Sequence, residues 1–385
     1  MEPGSNSSLD DSCKGGSFRN ESTLSDEDVI AKYFVSTRDR YIITVFYPIM
    51  LTFGLFGNLA FLAVVAKIPS MRTLTNAYLA NLAICDTAYI ITQGKDILGD
   101  YLLYTPLDMK SHKTNLDCIV TTSGLYFTLF TSICLLLTMT TERYLGICRP
   151  LQHRFIATKE RTVKLIIMCW VLGVLYSGII VPRFSKVILV CVVWPNSDRF
   201  KDLPNKLSLP CLAIHPFFAQ FSLIAQAVPF VIATLFNTIM FSRIVKKLHE
   251  RIAGDDVAVG FDKKAMESRN HVARLLIVTN VIFFICLAPY FFTTGNYAIL
   301  ELSNNRIGVK LTYNQLVTML WISRGLTVAN ATTNPLVYSV TNPRYRQAFL
   351  QLFSGSCRGG SYTSTGQKKN RESTTGTGSM SVSKM

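Results

Sequence analysis

At 385 residues with 49% hydrophobic content and a mean hydropathy of +0.29, the chain is too apolar for two soluble domains and reads as a polytopic membrane protein. A net charge of +15 would fit a nucleic-acid binder if it covered one surface, but its distribution argues against that. Counted by the spans proposed below, the segments on the side of Arg143 carry 23 Lys and Arg against 8 Asp and Glu. Because a basic excess marks the cytoplasmic side, Arg143 is expected to face the cytosol and the amino terminus the outside. No nucleotide, metal-hydrolase or nucleophile motif points to an enzyme.

Residues 1–40 are polar and acidic, with glycosylation sequons at Asn6-Ser7-Ser8 and Asn20-Glu21-Ser22. An extracellular tail modified at Asn6 and Asn20 is expected. Nothing resembles a cleaved signal peptide, so the first span is expected to translocate this tail. Seven apolar spans occupy residues 41–340, at about Tyr41–Ala66, Leu74–Leu98, Cys118–Thr141, Leu165–Val181, Leu212–Met240, Leu275–Tyr297 and Leu311–Val340. Most reach the roughly 20 residues that an approximately 30 Å hydrocarbon core requires. A third sequon, Asn330-Ala331-Thr332, falls inside the last span and should stay unmodified.

Between the fourth and fifth spans, Val187 to Val193 is rich in β-branched residues and predicts a strand, with a turn at Trp194 to Asp198. Residues 242–274 form a short basic loop with helical shoulders. In residues 341–355, Tyr345, Phe349, Leu352 and Phe353 recur at helical spacing, which predicts an amphipathic helix lying on membrane lipid. Cys357 at its end is a palmitoylation candidate. Residues 356–385 read as a disordered tail whose hydroxyls are candidates for phosphorylation.

The spans carry motifs that resemble the rhodopsin-like (class A) G-protein-coupled receptors. Cys118 opens the third span and Glu142-Arg143-Tyr144 closes it, with Cys118 and Arg143 separated by 25 positions. Around them stand Gly57-Asn58, Leu79 to Asp86, Trp170, Pro229, Pro289 and Asn334-Pro335-Leu336-Val337-Tyr338, in order on their respective spans. The resemblance implies an all-α membrane protein, a seven-transmembrane helix bundle with a short amphipathic eighth helix. It implies a plasma-membrane receptor whose partners are an extracellular ligand, a heterotrimeric G protein, arrestin and receptor kinases.

The resemblance also assigns roles. Arg143 matches the G-protein-contacting arginine, released from Glu142 on activation, with Tyr338, Pro335, Phe283 and Pro289 acting in the same rearrangement. Arg269 stands where a second acid would hold Arg143, so any lock is expected to be local to Glu142. Asp86, an ionisable residue within an apolar span, marks a functional site by default. With Ser132, Asn330 and Asn334 it matches the family's sodium pocket, and a water-mediated polar cluster is the alternative. The family's recurrent disulfide points to Cys118 with Cys191, and Cys211 is the rival partner. Two departures bear on activation: Leu287 replaces a tryptophan before Pro289, and Asn237 replaces a tyrosine in the fifth span.

Ligand class is narrowed by absences. Leu125 occupies the position of the aspartate in amine receptors, and Val328 that of the retinal lysine. The outer half offers Gln93, Lys95, Asp96, Tyr126, Tyr290, Thr294 and Arg324, a lining suited to a peptide. Tyr126, Tyr290 and Arg324 resemble pocket positions of the thyrotropin-releasing-hormone receptors, although Phe130 replaces an asparagine there. Arg324 could bind a ligand carbonyl or carboxylate, or pair with Asp96. The expected function is therefore reception of a small neuropeptide, with an amidated peptide as candidate, and G-protein activation leaning to the Gq class. A lipid or other small molecule is the alternative ligand. A transporter or channel is the remote alternative, since it would need a path of intramembrane charges where the confidently apolar cores hold only Asp86.

Overall fold

The computed structural model describes residues 17–99, 101, 114–254, 263–303, 308–341 and 343–353. Among these residues, seven long helices run in chain order: Thr37–Lys67, Leu74–Gly94, Asn115–Cys148, Lys159–Ile180, Pro216–Gly254, Lys263–Leu302 and Tyr313–Thr341. They are called the first to seventh spans below. The short helix Pro150–Ile156 follows the third span, and the amphipathic helix Pro343–Phe353 follows the seventh. By length and hydropathy alone, five of the described helices suffice to cross a membrane. The second and seventh carry the polar residues Asn81, Asp86, Arg324, Asn330 and Asn334, which dilute their apolar character.

Local chemistry sets where the spans begin. Thr73, Thr114 and Thr158 each accept a first-turn backbone N–H, from Asn76, Asp117 and Arg161 respectively. At Thr114 the Asp117 carboxylate also reaches back, completing a capping box. The fifth span opens at Pro216, whose missing N–H costs nothing at that position. His215 Nδ1 accepts the Phe217 N–H at 3.2 Å. Leu212, expected to begin that span, lies in a strand instead.

The third span is central, packing against the second, fourth, fifth and sixth, while the first packs against the second and seventh. Close approach needs small residues. A Cβ at Gly54 in the first span would lie 2.6 Å from Thr332 Oγ1 and 2.7 Å from Ile90 Cδ1. The radial pattern is inverted relative to a water-soluble protein. Asn58, Asp86 and Asn334 are buried, whereas Phe53, Val174 and Ile232 are exposed, as a lipid surround demands.

Outside the bundle is a three-stranded sheet, β1 (Ser17–Asn20), β2 (Lys186–Val193) and β3 (Lys206–Leu212), in the order β1-β2-β3. β1 runs parallel to β2 with Phe18 opposite Cys191, and β2 pairs antiparallel with β3. Residues 17–36 are thus built into the fold. In the helix Asp26–Tyr33, capped by Ser25, Val29 and Tyr33 pack on Val190, Val192, Trp194, Phe200 and Leu207. Glu21 is buried beneath this helix, accepting from Lys32 Nζ at 2.8 and 3.0 Å and from Tyr33 Oη at 2.6 Å. Burial raises its carboxyl pKa, but the hydrogen bonds from Lys32 and Tyr33 outweigh that and hold it below the ordinary value. Asn20 is exposed at the end of β1. Asn6 and Cys357 lie outside the described residues.

One expected pairing is overturned. Cys118 is bridged to Cys211, with Cα atoms 5.4 Å apart, not to Cys191, which forms a disulfide of its own. The reason is strand pairing: β3 folds back along β2 and carries Cys211 to the third span, while Cys191 faces β1 in register with Phe18. Cys85, Cys134, Cys148, Cys169 and Cys286 are not disulfide-bonded.

Candidate functional site

Toward the end of the bundle that carries the sheet, the phenol oxygens of Tyr126 and Tyr290 lie 2.7 Å apart. Each also reaches Gln226 Oε1, at 2.9 and 2.7 Å respectively. Gln226 Nε2 donates to the Ser222 carbonyl at 3.0 Å, which fixes the amide's orientation. Three oxygen–oxygen contacts therefore share two phenolic protons, so acceptor capacity is left over for an incoming N–H group. Phe184 stacks on Tyr126 with centroids 5.8 Å apart. Thr294 stands one turn above Tyr290 and donates to its carbonyl at 3.0 Å. The sequence reading missed Gln226; a polar residue three positions before Pro229 in an apolar span was the available signal.

A second polar group joins the second and seventh spans. Gln93 Nε2 donates to Tyr89 Oη at 3.1 Å, and Tyr89 donates to Thr327 Oγ1 at 2.7 Å. Gln93 Oε1 is buried with no hydrogen-bond partner among the described residues. Arg324 Nη2 lies 3.7 Å from Asp96 Oδ2, so the intramolecular pairing weighed from the sequence is present. About half of the Arg324 side chain remains exposed. Tyr89 and Thr327 were not singled out by sequence, although Tyr89 precedes Gln93 by one helical turn and so shares its face.

Deeper in the bundle, Asp86 Oδ2 accepts from Asn334 Nδ2 at 2.7 Å. Asp86, Ser132 and Asn330 line one cavity of about 20 Å³, closed by Phe283 and Leu287, with room for about one water or a bare ion of that size. Asn330 Oδ1 is buried and lacks a hydrogen-bond partner among the described residues. A carboxylate, a hydroxyl and an orphaned amide oxygen around a small cavity are a donor set that fits a hard monovalent cation.

At the opposite end, Arg143 donates to Thr75 Oγ1. Glu142 was expected to hold Arg143 locally. Its carboxylate instead pairs with Arg161 Nη1 at 2.7 Å and lies 3.4 Å from His153 Nε2. The reason is geometric: Thr158 caps the fourth span and sets Arg161 in its first turn, beside the third. The Arg269 side chain lies outside the described residues. Tyr144 packs on Ile147 and Ile244. Tyr338 is fully buried against Phe61 and Tyr345, with centroids 5.0 and 5.9 Å away. Pro289 and Pro335 interrupt the sixth and seventh spans, each removing a backbone donor, and Phe283 packs edge-on to Phe284. Asn237 Oδ1 and Tyr338 Oη are both buried without partners among the described residues.

This arrangement, a polar-aromatic cluster at one end, a buried carboxylate in the middle and an arginine at the other, fits a seven-span receptor. The chain belongs to the 7 transmembrane receptor (rhodopsin family) group, whose profile matches residues 57–338. Among curated proteins it is similar to Neuromedin-U receptor 2 of Mus musculus, 24% identical over 82% of this chain and 76% of the relative. It is also similar to Growth hormone secretagogue receptor type 1 of Sus scrofa, 27% identical over 78% and 77%. Neuromedin U receptor homolog nmur-2 of Caenorhabditis elegans is 24% identical over 81% and 79%. The chain is therefore a multi-pass plasma-membrane receptor of this family, and its relatives are receptors rather than enzymes.

Proposed function

We propose that this receptor binds a small peptide, an amidated one being the leading candidate, between Tyr126, Gln226, Tyr290 and Arg324. The observation that carries the reading is the pairing of surplus acceptor oxygens with a half-exposed guanidinium. Peptide N–H groups, including a terminal amide, would donate to the Tyr126–Gln226–Tyr290 oxygens. Arg324 would exchange its long contact to Asp96 for a peptide carbonyl or carboxylate. The names of the relatives, receptors for neuromedin U and for growth hormone secretagogues, support a peptide over a lipid.

Binding at this end favours an opened inner end, where Arg143 and the basic segments receive a heterotrimeric G protein, with a leaning to the Gq class. Ligand and G protein then strengthen each other reciprocally. Leu151 and Phe155, exposed on the helix beside Arg143, supply an apolar docking face there. The amino terminus faces out and the carboxyl-terminal hydroxyls serve receptor kinases and arrestin. Asp86, Ser132, Asn330 and Asn334 would hold a sodium ion that supplies positive charge to the buried carboxylate.

Cells expressing the chain should be exposed to neuromedin U, a growth hormone secretagogue, thyrotropin-releasing hormone and a library of amidated peptides, with calcium and cyclic-AMP readouts. A peptide-evoked calcium rise that Tyr290→Phe weakens about ten-fold is the expected result, the scale of one lost charge-free pocket hydrogen bond. Responses confined to lipid fractions would overturn it.

A further inference from the structure

We propose that Arg183 is a ligand-recognition residue, binding the carboxylate of an acidic side chain that the peptide carries within about three residues of its amidated end. The inference rests on the reading of Tyr126, Gln226 and Tyr290 as the seat of that end, and adds to it the charge of a neighbouring side chain. Arg183 sits in the 3₁₀ turn Val181–Phe184 that follows the fourth span. This turn packs against the third, fourth and fifth spans and against β3. It is pinned twice: the Pro182 carbonyl accepts the Ile214 N–H at 3.0 Å, and Ser185 Oγ donates to the Val181 carbonyl at 2.5 Å. Pro182 also fixes the backbone φ at its own position. The turn is therefore a rigid mount, set before any ligand arrives.

The Phe184 ring joins Arg183 to the pocket. Its centroid lies 4.9 Å from Arg183 Cζ and 5.8 Å from that of Tyr126, whose ring it faces at an interplanar angle of 19°. A guanidinium within about 6 Å of a ring centroid is held by the ring's quadrupole, and that attraction leaves its N–H groups unspent. Arg183 is half-buried and forms no hydrogen bond or ion pair with a described residue, so its five N–H donors remain for a ligand. Lys95 and Arg324, by contrast, lie 3.3 and 3.7 Å from the carboxylates of Asp117 and Asp96. A partly desolvated cation without a counter-charge favours an anion over a neutral group, and the planar fork matches a carboxylate bidentately. The two distances from the shared ring bring the guanidinium close enough to Tyr126 that about three residues of extended peptide, at about 3.5 Å each, bridge them. A peptide seated by its amide on the tyrosines therefore reaches Arg183 with a side chain close to that end.

The test uses purified full-length receptor and a positional set of tetrapeptide amides, in which Glu, Gln or Lys is fixed at each position in turn and the other positions hold equimolar mixtures of uncharged amino acids. Affinity is read as the concentration giving half-maximal thermal stabilisation. With the fixed residue near the amide, the Glu peptides should bind wild type about ten-fold more tightly than the Gln peptides, the scale of one charge-assisted contact. Arg183→Gln should erase the difference, and Arg183→Glu should shift the preference to the Lys peptides, an exchange that a structural role for Arg183 would not produce. Unfolding temperatures without peptide identify folded variants; should neither fold, Arg183→Lys decides, since loss of the fork should narrow the preference. Equal binding of Glu and Gln peptides by wild type, or a preference that Arg183→Gln or, in its place, Arg183→Lys leaves unchanged, would overturn the proposal and leave the peptide-receptor reading standing. A preference for free-acid over amide peptides that Arg183→Gln abolishes would give Arg183 to the carboxyl terminus and overturn the side-chain assignment. If none of the peptides stabilises the receptor, the peptide reading itself falls and the proposal with it.

Discussion

Glu142 Oε1 lies 2.7 Å from Arg161 Nη1, which ties the carboxyl-terminal end of the third span to the start of the fourth. Both partners are largely withdrawn from solvent, so the pair should outweigh an exposed one, which contributes about 0–1 kcal/mol. Arg161→Gln and Glu142→Gln are each expected to raise ligand-independent nucleotide exchange on the G protein, by about five-fold for about 1 kcal/mol of lost restraint. The double variant should exceed neither by much. Additive effects would show that the residues act separately.

Asp86 gives a test independent of any ligand. If sodium occupies the cavity beside Asn330, replacing potassium chloride by sodium chloride should raise the unfolding temperature of the purified receptor. A sodium concentration about ten times the dissociation constant stabilises by about 1.4 kcal/mol through mass action. Asp86→Asn should abolish the difference. A sodium effect that persists in this variant would place the ion elsewhere.

The Cys118–Cys211 bridge closes a loop with a sequence separation of 93. Cys118→Ser and Cys211→Ser should each lower stability by about 2–5 kcal/mol, and the double variant no further. Cys191→Ser should add to either. Non-reducing peptide mapping that links Cys118 to Cys191 would refute the assignment.

The buried Glu21 makes the three-stranded sheet acid-sensitive. Its carboxyl pKa lies below the ordinary 4.5, so the stabilisation is complete above that value and is lost as pH falls through the lower folded value. The Tyr33 phenol is raised by burial and by its bond to Glu21, so its share is lost only as pH rises above the ordinary phenol range. Hydrogen exchange over residues 17–36 should stay slow at neutral pH and accelerate below about pH 4. In Glu21→Gln that acid step should be much reduced.

Tyr338 Oη is buried without a partner among the described residues, which carries a desolvation cost. Tyr338→Phe should therefore leave thermal stability unchanged or raise it by about 1 kcal/mol. If the hydroxyl acquires a partner only in the active arrangement, agonist-evoked signalling should fall at the same time. A destabilised variant with normal signalling would reverse both assignments.

Sequence by itself determined the architecture. Apolar segments near 20 residues long admit few solutions in lipid, because every backbone polar group must be satisfied within the helix. Asp86, Arg143 and the prolines are legible because a charge or a missing N–H inside such a segment is conspicuous against its surroundings. The choice between Cys191 and Cys211 was not legible. Both lie on the same outer loop, and only the pairing of β2 with β1 and β3 decides which reaches Cys118. Gln226 likewise becomes a pocket residue only when the third, fifth and sixth spans converge, and Glu142 meets Arg161 only once Thr158 sets the start of the fourth. Strand register and helix rotation are collective properties of packing, and tertiary structure alone fixes them.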